Sequence, residues 1–151
     1  MNNVSMKLSE HFSLAEMCKT SANLDNVPNE AQVENLKRLC GWLEMLRSEW
    51  NKRYGEGNDP IFINSGFRSV AVNKAVGGVK GSNHLSGCAA DIRVAGIEQL
   101  VRYATILLDI SDESKEDFDE LLLERSPKGN YWLHFAVRPS GNRRKVRLIQ
   151  T

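Results

Sequence analysis

The sequence has no surplus charge of either sign: 20 Lys+Arg stand against 19 Asp+Glu, for a formal net charge of +1. That balance gives no general case for nucleic-acid binding or for polybasic attachment to a membrane. Long apolar runs are absent as well. Nothing approaches the roughly 18 apolar residues of a membrane helix, and the richest stretch, Ile106–Leu107–Leu108, is broken by Asp109. Met1 to Ser13 lacks the basic head and apolar stretch of a secretory signal, so synthesis in the cytoplasm without Sec export is the expectation. Cys18, Cys40 and Cys88 are odd in number and far apart. They form neither a disulfide framework nor a CxxC pair, which suits a reducing compartment. Internal repeats, low-complexity tracts and long linkers are missing too. Histidines number only three, so any imidazole chemistry must use His11, His84 or His134.

What remains is ordinary globular material. A chain of 151 residues that is 41% hydrophobic can bury the core of one domain. Residues 1–26 form a lead-in, its part from Ser9 onward reading as short helical turns and loop. After Pro28, the residues Val33, Leu36, Leu39, Cys40, Leu43, Leu46 and Trp50 recur at three- and four-residue steps. That spacing predicts an amphipathic helix ending near Tyr54–Gly55. Pro60–Asn64 reads as a strand, Ser65–Ser69 as a turn into a short helix through about Val76, and Cys88–Val94 as a second strand behind a glycine-rich loop. A second long helix is expected over Ile97–Ile110, then a solvated loop over Ser111–Asp117. Phe118–Glu124 and Tyr131–Val137 flank Ser126-Pro-Lys-Gly129 as a hairpin. Residues 138–151 are a tail, or an edge strand at Lys145–Gln150. Helices first and a small antiparallel sheet after them give an α+β class.

Chemistry concentrates in Ser82–Asp91. His84 ends the glycine-rich loop, Asp91 follows seven residues later inside a strand, and Gly87 lets the loop fold back so that both reach one ion. Along that strand Ala89, Asp91 and Arg93 share one face, while Cys88, Ala90, Ile92 and Val94 share the apolar other. A third ligand has few sources. His134 lies mid-strand, facing the same way as Trp132 and Ala136. Two imidazoles and one carboxylate leave a fourth tetrahedral position for water, although a histidine in a hairpin strand is also a common structural residue.

The motifs Ser65-Gly-Phe-Arg-Ser69, Asn73, Val76-Gly-Gly78, Ser82-x-His84-x-x-Gly87-x-Ala89-x-Asp91 and Trp132-x-His134 resemble the zinc D-alanyl-D-alanine carboxypeptidases. That family also includes the L-alanyl-D-glutamate endopeptidases of phage endolysins and shares its fold with hedgehog signalling domains. The likeness runs from about Phe12 to Val137. It implies that residues 1–151 form a single peptidase domain of hedgehog-like fold, with zinc held by His84, Asp91 and His134. It also implies hydrolysis of peptide bonds in bacterial peptidoglycan.

In that chemistry a positioned carboxylate takes the proton of the attacking water and passes it to the leaving amine. Relatives carry that acid two or three residues before the last histidine, where this chain has Tyr131 and Trp132. The nearest upstream acid is Glu124, in a segment resembling Asp-Gln-Leu-Ile-x-Glu of one subgroup. Pairing of Glu124 with Trp132 puts it on the face of His134, and pairing with Tyr131 puts it on the other. Glu124 is the expected base, with Asp119 or Glu120 next in line. Arg68 is suited to bind a substrate carboxylate or polarise the scissile carbonyl. Ser82 either bonds substrate backbone or steadies its own loop, and Trp132 walls the groove.

Other features read as structure. His11 is a surface or capping residue, Trp42 and Trp50 pack in the core or at its rim, and the basic run Arg143–Arg147 is a solvated turn that could help hold an anionic wall. The expectation is therefore a monomeric zinc peptidase of phage or prophage origin. It would act on the cell wall after release through a holin-type pore, with no nucleic-acid partner and no stable membrane insertion. The alternative is a non-catalytic wall-peptide-binding module that keeps the fold and metal, favoured by the departure at Tyr131 and Trp132.

Overall fold

The computed structural model describes residues 6–151, so the first five residues of the lead-in lie outside the described residues. A short helix, α1 (Leu14–Met17), is capped by the Ser13 hydroxyl, which accepts from Glu16 N–H. Ahead of it the chain folds back on itself, with Leu8 and Phe12 buried. Glu44 holds this lead-in by accepting from the Ser9 hydroxyl and the His11 backbone N–H, and its other oxygen lies 2.7 Å from His11 Nδ1. His11 is thus a structural clamp.

Helix α2 (Glu30–Arg53) starts in a capping box between Asn29 and Gln32 and ends with Lys52 and Arg53 beside its free carbonyls. Its stripe of Leu36, Leu39, Cys40, Leu43, Leu46 and Trp50 is buried as the periodicity requires. Helix α3 (Val70–Ala75) is short. Helix α4 (Ile97–Ser114) runs one turn beyond the expected end at Ile110, so Ser111–Ser114 are helix rather than solvated loop. The reason is Ser111, which is 2% exposed: its hydroxyl donates to Glu116 O and accepts from Arg144.

Five strands, β1 (Ile63–Ser65), β2 (Ala89–Arg93), β3 (Glu120–Arg125), β4 (Tyr131–Ala136) and β5 (Lys145–Gln150), form one sheet in the order β1-β2-β4-β3-β5. The first four pair antiparallel, but β5 runs parallel to β3, so the sheet is mixed rather than purely antiparallel. Geometry dictates this. β2 already covers the outer edge of β4, and the chain leaves β4 at the end where β3 begins, so a short connection can only start β5 beside the start of β3. Arg144 N–H to Phe118 O and Lys145 N–H to Asp119 O, both 2.9 Å, mark that start. β1 begins three residues later than expected, after Pro60, which offers no N–H to a ladder.

One face of the sheet is the core. Ala90, Ile92, Leu121, Leu133 and Phe135 pack there with the buried faces of α2 and α4, and Trp42 sits against Phe118 and Phe135. Cys88 is buried, as predicted. Because side chains alternate along a strand, Asp91, His134, Glu120, Leu122, Glu124 and Trp132 share the opposite face. Among the described residues, no helix is long and apolar enough to cross a membrane.

Candidate metal centre

A 3-10 turn (Asn83–Ser86) carries His84. The Ser82 hydroxyl accepts from His84 N–H and so steadies the turn, and Gly87 ends it at φ 77°. A side chain at Gly87 would stand 2.6 Å from Gln32 O, so glycine is what lets the turn lie against α2. Gln32 and Asn35 then hold it there by donating to Leu85 O and Ser86 O. His84 Nδ1 lies 2.6 Å from Gly66 O. A carbonyl only accepts, so Nδ1 is the donor, and Nε2 is the nitrogen turned to Asp91 Oδ2, 3.4 Å away.

Strands β2 and β4 bring the other two residues together, because Asp91 pairs directly with His134 in the ladder. His134 Nδ1 is 3.1 Å from Asp91 Oδ1. One donor atom from each of His84, Asp91 and His134 lies within 4.8 Å of the others, in a pocket where His84 is 3% and His134 8% exposed. Two imidazoles and a carboxylate converging at that distance are a donor set that zinc accepts. The sequence-predicted ligand set is therefore assembled in space.

The electrostatics fit. Burial would raise the Asp91 carboxyl, but hydrogen bonds from His134 and His84 outweigh it and hold the group far below the usual carboxylate range. Burial would lower His134, yet Asp91 on one side and Glu120 on the other carry it up to about 9. Glu120 is pulled down to about 2, first by its bond to His134 and against burial. Glu124 behaves in the opposite sense: burial, aided by the negative charge of Asp91, raises it.

Glu124 pairs with Trp132 and not with Tyr131, which is the register that puts it on the face of His134. Trp132 Nε1 donates to Glu124 Oε2 at 3.1 Å. Arg68 is partly buried. It lies in the same groove with its side chain 17% exposed, and donates to Ser65 Oγ at 3.1 Å, Asn73 Oδ1 at 3.4 Å and Asp91 Oδ2 at 3.3 Å. Any side chain at Gly78 would collide with Asn73 and crowd Arg68, which explains the glycine there. The groove, about 720 Å³ and open to solvent, runs past Arg68, Ser82, the histidines, Glu124 and Trp132 to a basic end at Arg138, Arg143 and Lys145.

Asp119, a reserve candidate for the base, is fully buried. Burial opposes its charge, but Arg143, Asn83 and Arg138 bind it and take it down to about 2. Arg143 and Arg144 keep part of their side chains in solvent but are not idle: the first clamps Asp119 and the second binds Asp112 and Asp117. Sequence reasoning also missed what Glu120 does, since its Oε1 sits 3.0 Å from His134 Nε2. The signal was there, because Glu120 lies two double steps before Glu124 on one strand and must share its face.

Comparison with known proteins bears on the same residues. A stretch of 40 residues, 26% of this chain, is 50% identical to a zinc D-Ala-D-Ala carboxypeptidase of Streptomyces albus G, and it covers 16% of that relative's length. The family model described as peptidase M15 matches residues 10–111, which include Arg68, His84 and Asp91 and end before His134. That match spans roughly two thirds of the sequence, and the chain belongs to the peptidase M15 family.

Proposed function

We propose that the protein is a zinc-dependent peptidase that hydrolyses bonds in bacterial cell-wall stem peptides. The observation that carries the reading is the buried His84–Asp91–His134 cluster opening into a groove that also presents Glu124 and Arg68. Zinc, when bound, supplies Lewis acidity and makes water a stronger acid near neutral pH. Glu124 takes the proton of the attacking water and returns it to the leaving amine, and its raised pKa suits a group that must do both. Arg68 has five N–H donors, of which Ser65, Asn73 and Asp91 engage three, so donors remain for a substrate carboxylate or the scissile carbonyl. Trp132 walls the groove and steers the Glu124 carboxylate through its indole N–H. Ser82, committed to His84 N–H through its oxygen, keeps a hydroxyl proton for substrate backbone.

The Glu124–Trp132 register supports hydrolysis over the non-catalytic binding module, because an acid stands on the site face despite the departure at Tyr131 and Trp132. A monomeric phage or prophage lysin, made in the cytoplasm and released through a partner pore, is the setting that the family resemblance favours. The test is direct. The purified protein should hold about one zinc, lost on His84→Ala. Digestion of purified cell walls and of defined stem peptides should release fragments whose masses name the bond cut. A protein that takes up no zinc, or that loads zinc and cuts no wall peptide, overturns the reading.

A further inference from the structure

Glu120 stands behind His134, on the side of the ring away from Asp91. Its Oε1 is 3.0 Å from Nε2, while Nδ1 on the other edge is 3.1 Å from Asp91 Oδ1. An imidazole that gives one nitrogen's lone pair to a metal has only the other N–H left to donate. The ladder fixes the backbone of His134 opposite Asp91, but it does not fix the ring, whose outer torsion has two broad, nearly equivalent settings. A half-turn about that torsion would present carbon where Nδ1 now stands.

Resting on the reading of His84, Asp91 and His134 as the metal ligands, we propose that Glu120 is a positioning residue for the metal. It accepts the Nε2–H of His134, and so fixes the tautomer and ring plane that aim the Nδ1 lone pair at the ion. His84 is set the same way by Gly66 O, so each histidine ligand has its own anchor on the far nitrogen.

The anchor of His134 also reaches the element that carries His84. Asn83, the residue before His84, donates to Glu120 Oε1 at 2.7 Å and to the buried Asp119 at 2.8 Å. Arg138 donates to Asn83 Oδ1 at 3.0 Å, and Arg143 Nη2 lies 2.8 Å from Asp119 and 3.8 Å from Glu120. The 3-10 turn and the sheet, which contribute one histidine each, are thus joined behind the metal position by the Asn83–Glu120 bond. Among the described residues no buried side-chain nitrogen or oxygen lacks a partner, so this network is complete before any ion arrives.

The experiment uses the full chain and zinc itself. In competition against a chromophoric chelator, Glu120→Ala should bind zinc about 10–100-fold more weakly than the wild type, with an unchanged far-ultraviolet spectrum in the metal-free form. Glu120→Gln keeps an oxygen that accepts from Nε2–H, and its affinity should stay within about threefold of wild type. Long-range proton–nitrogen NMR of the zinc-loaded wild type should show His134 ligated through Nδ1 with a proton on Nε2. Ligation through Nε2 overturns the proposal whatever the variants do, including a Glu120→Ala protein that fails to fold. Unchanged zinc affinity in Glu120→Ala also overturns it. So does a Glu120→Gln protein with full zinc affinity and no turnover, which would place Glu120 on the substrate's protons instead. A wild type that binds no zinc overturns the proposed function as well, whereas a zinc-loading wild type matched by Glu120→Ala overturns this inference alone.

Discussion

Four carboxylates crowd the histidines, and three are held ionised by donors: Asp91 by both imidazoles, Glu120 by His134 and Asn83, Asp119 by Arg143 and Asn83. Only Glu124 among them is pushed up, because burial and the charge of Asp91 outweigh its single indole donor. A carboxylate committed to strong donors is a poor proton carrier, and one left short of them is a good one. Glu124→Gln should therefore keep the zinc content and unfolding temperature of the wild type while lowering kcat about 10²–10⁴-fold. Parallel metal analysis and peptide-release kinetics check this; full turnover would move the proton chemistry to another group. His84, Asp91 and His134 were legible as a candidate ligand set through the family resemblance, which the period of two along the strands permitted without implying it. The hydrogen bonds of Glu120 were not, since which nitrogen a carboxylate meets depends on how a ring on one strand turns toward its neighbour.

The elements that carry the site owe their positions to a few backbone requirements. Gly87 is the sharpest: it combines φ 77° with a close approach to Gln32 O, whereas Gly141, at φ 68°, has open space around it. Alanine at Gly141 carries only the left-handed penalty of roughly 1–2 kcal/mol. Alanine at Gly87 carries that penalty and also pushes the 3-10 turn off α2, taking His84 with it. Gly87→Ala should thus unfold at a lower temperature than Gly141→Ala and bind zinc more weakly, while Gly141→Ala keeps wild-type zinc affinity. Thermal scans with chelator, paired with zinc competition, measure both; equal effects of the two substitutions would refute the close-contact argument. At this scale the sequence periods located α2, the β3–β4 hairpin and the strand Lys145–Gln150 well. They could not show that β5 pairs parallel with β3, because the choice follows from which sheet edge is free once β2 has paired with β4. Nor could they extend α4 to Ser114, because that turn is held by Ser111 meeting Arg144 from the far end of the chain.

Over the whole molecule the sheet divides the labour: helices and core occupy one face, and Asp91, His134, Glu120 and Glu124 occupy the other. The near-zero net charge therefore conceals a strongly charged groove, where Arg68, Arg138, Arg143 and Lys145 line the same walls as the carboxylates and histidines. Folding and metal uptake must then respond to pH in opposite directions. In the metal-free protein His134 sits between two carboxylates with its pKa raised to about 9, above an ordinary value of 6.5. The folded state holds that proton more tightly than the unfolded chain, so this stabilisation is complete below about pH 6.5 and is lost as pH rises toward 9. Glu120 and Asp119, both down to about 2, act with the other sign and lose their contribution as pH falls below the ordinary carboxylate range. On the proposed ligation, zinc displaces the Nδ1 proton of His134, so its affinity rises over the same interval in which the metal-free fold weakens. The unfolding temperature in excess chelator should accordingly fall between pH 6.5 and pH 8.5, and the increase produced by added zinc should grow over that range. Replacing His134 by Gln should flatten the chelator series. A zinc-induced increase that shrinks with rising pH would mean that His134 gives up no proton to the metal, and the ligand set would have to be redrawn around His84 and Asp91.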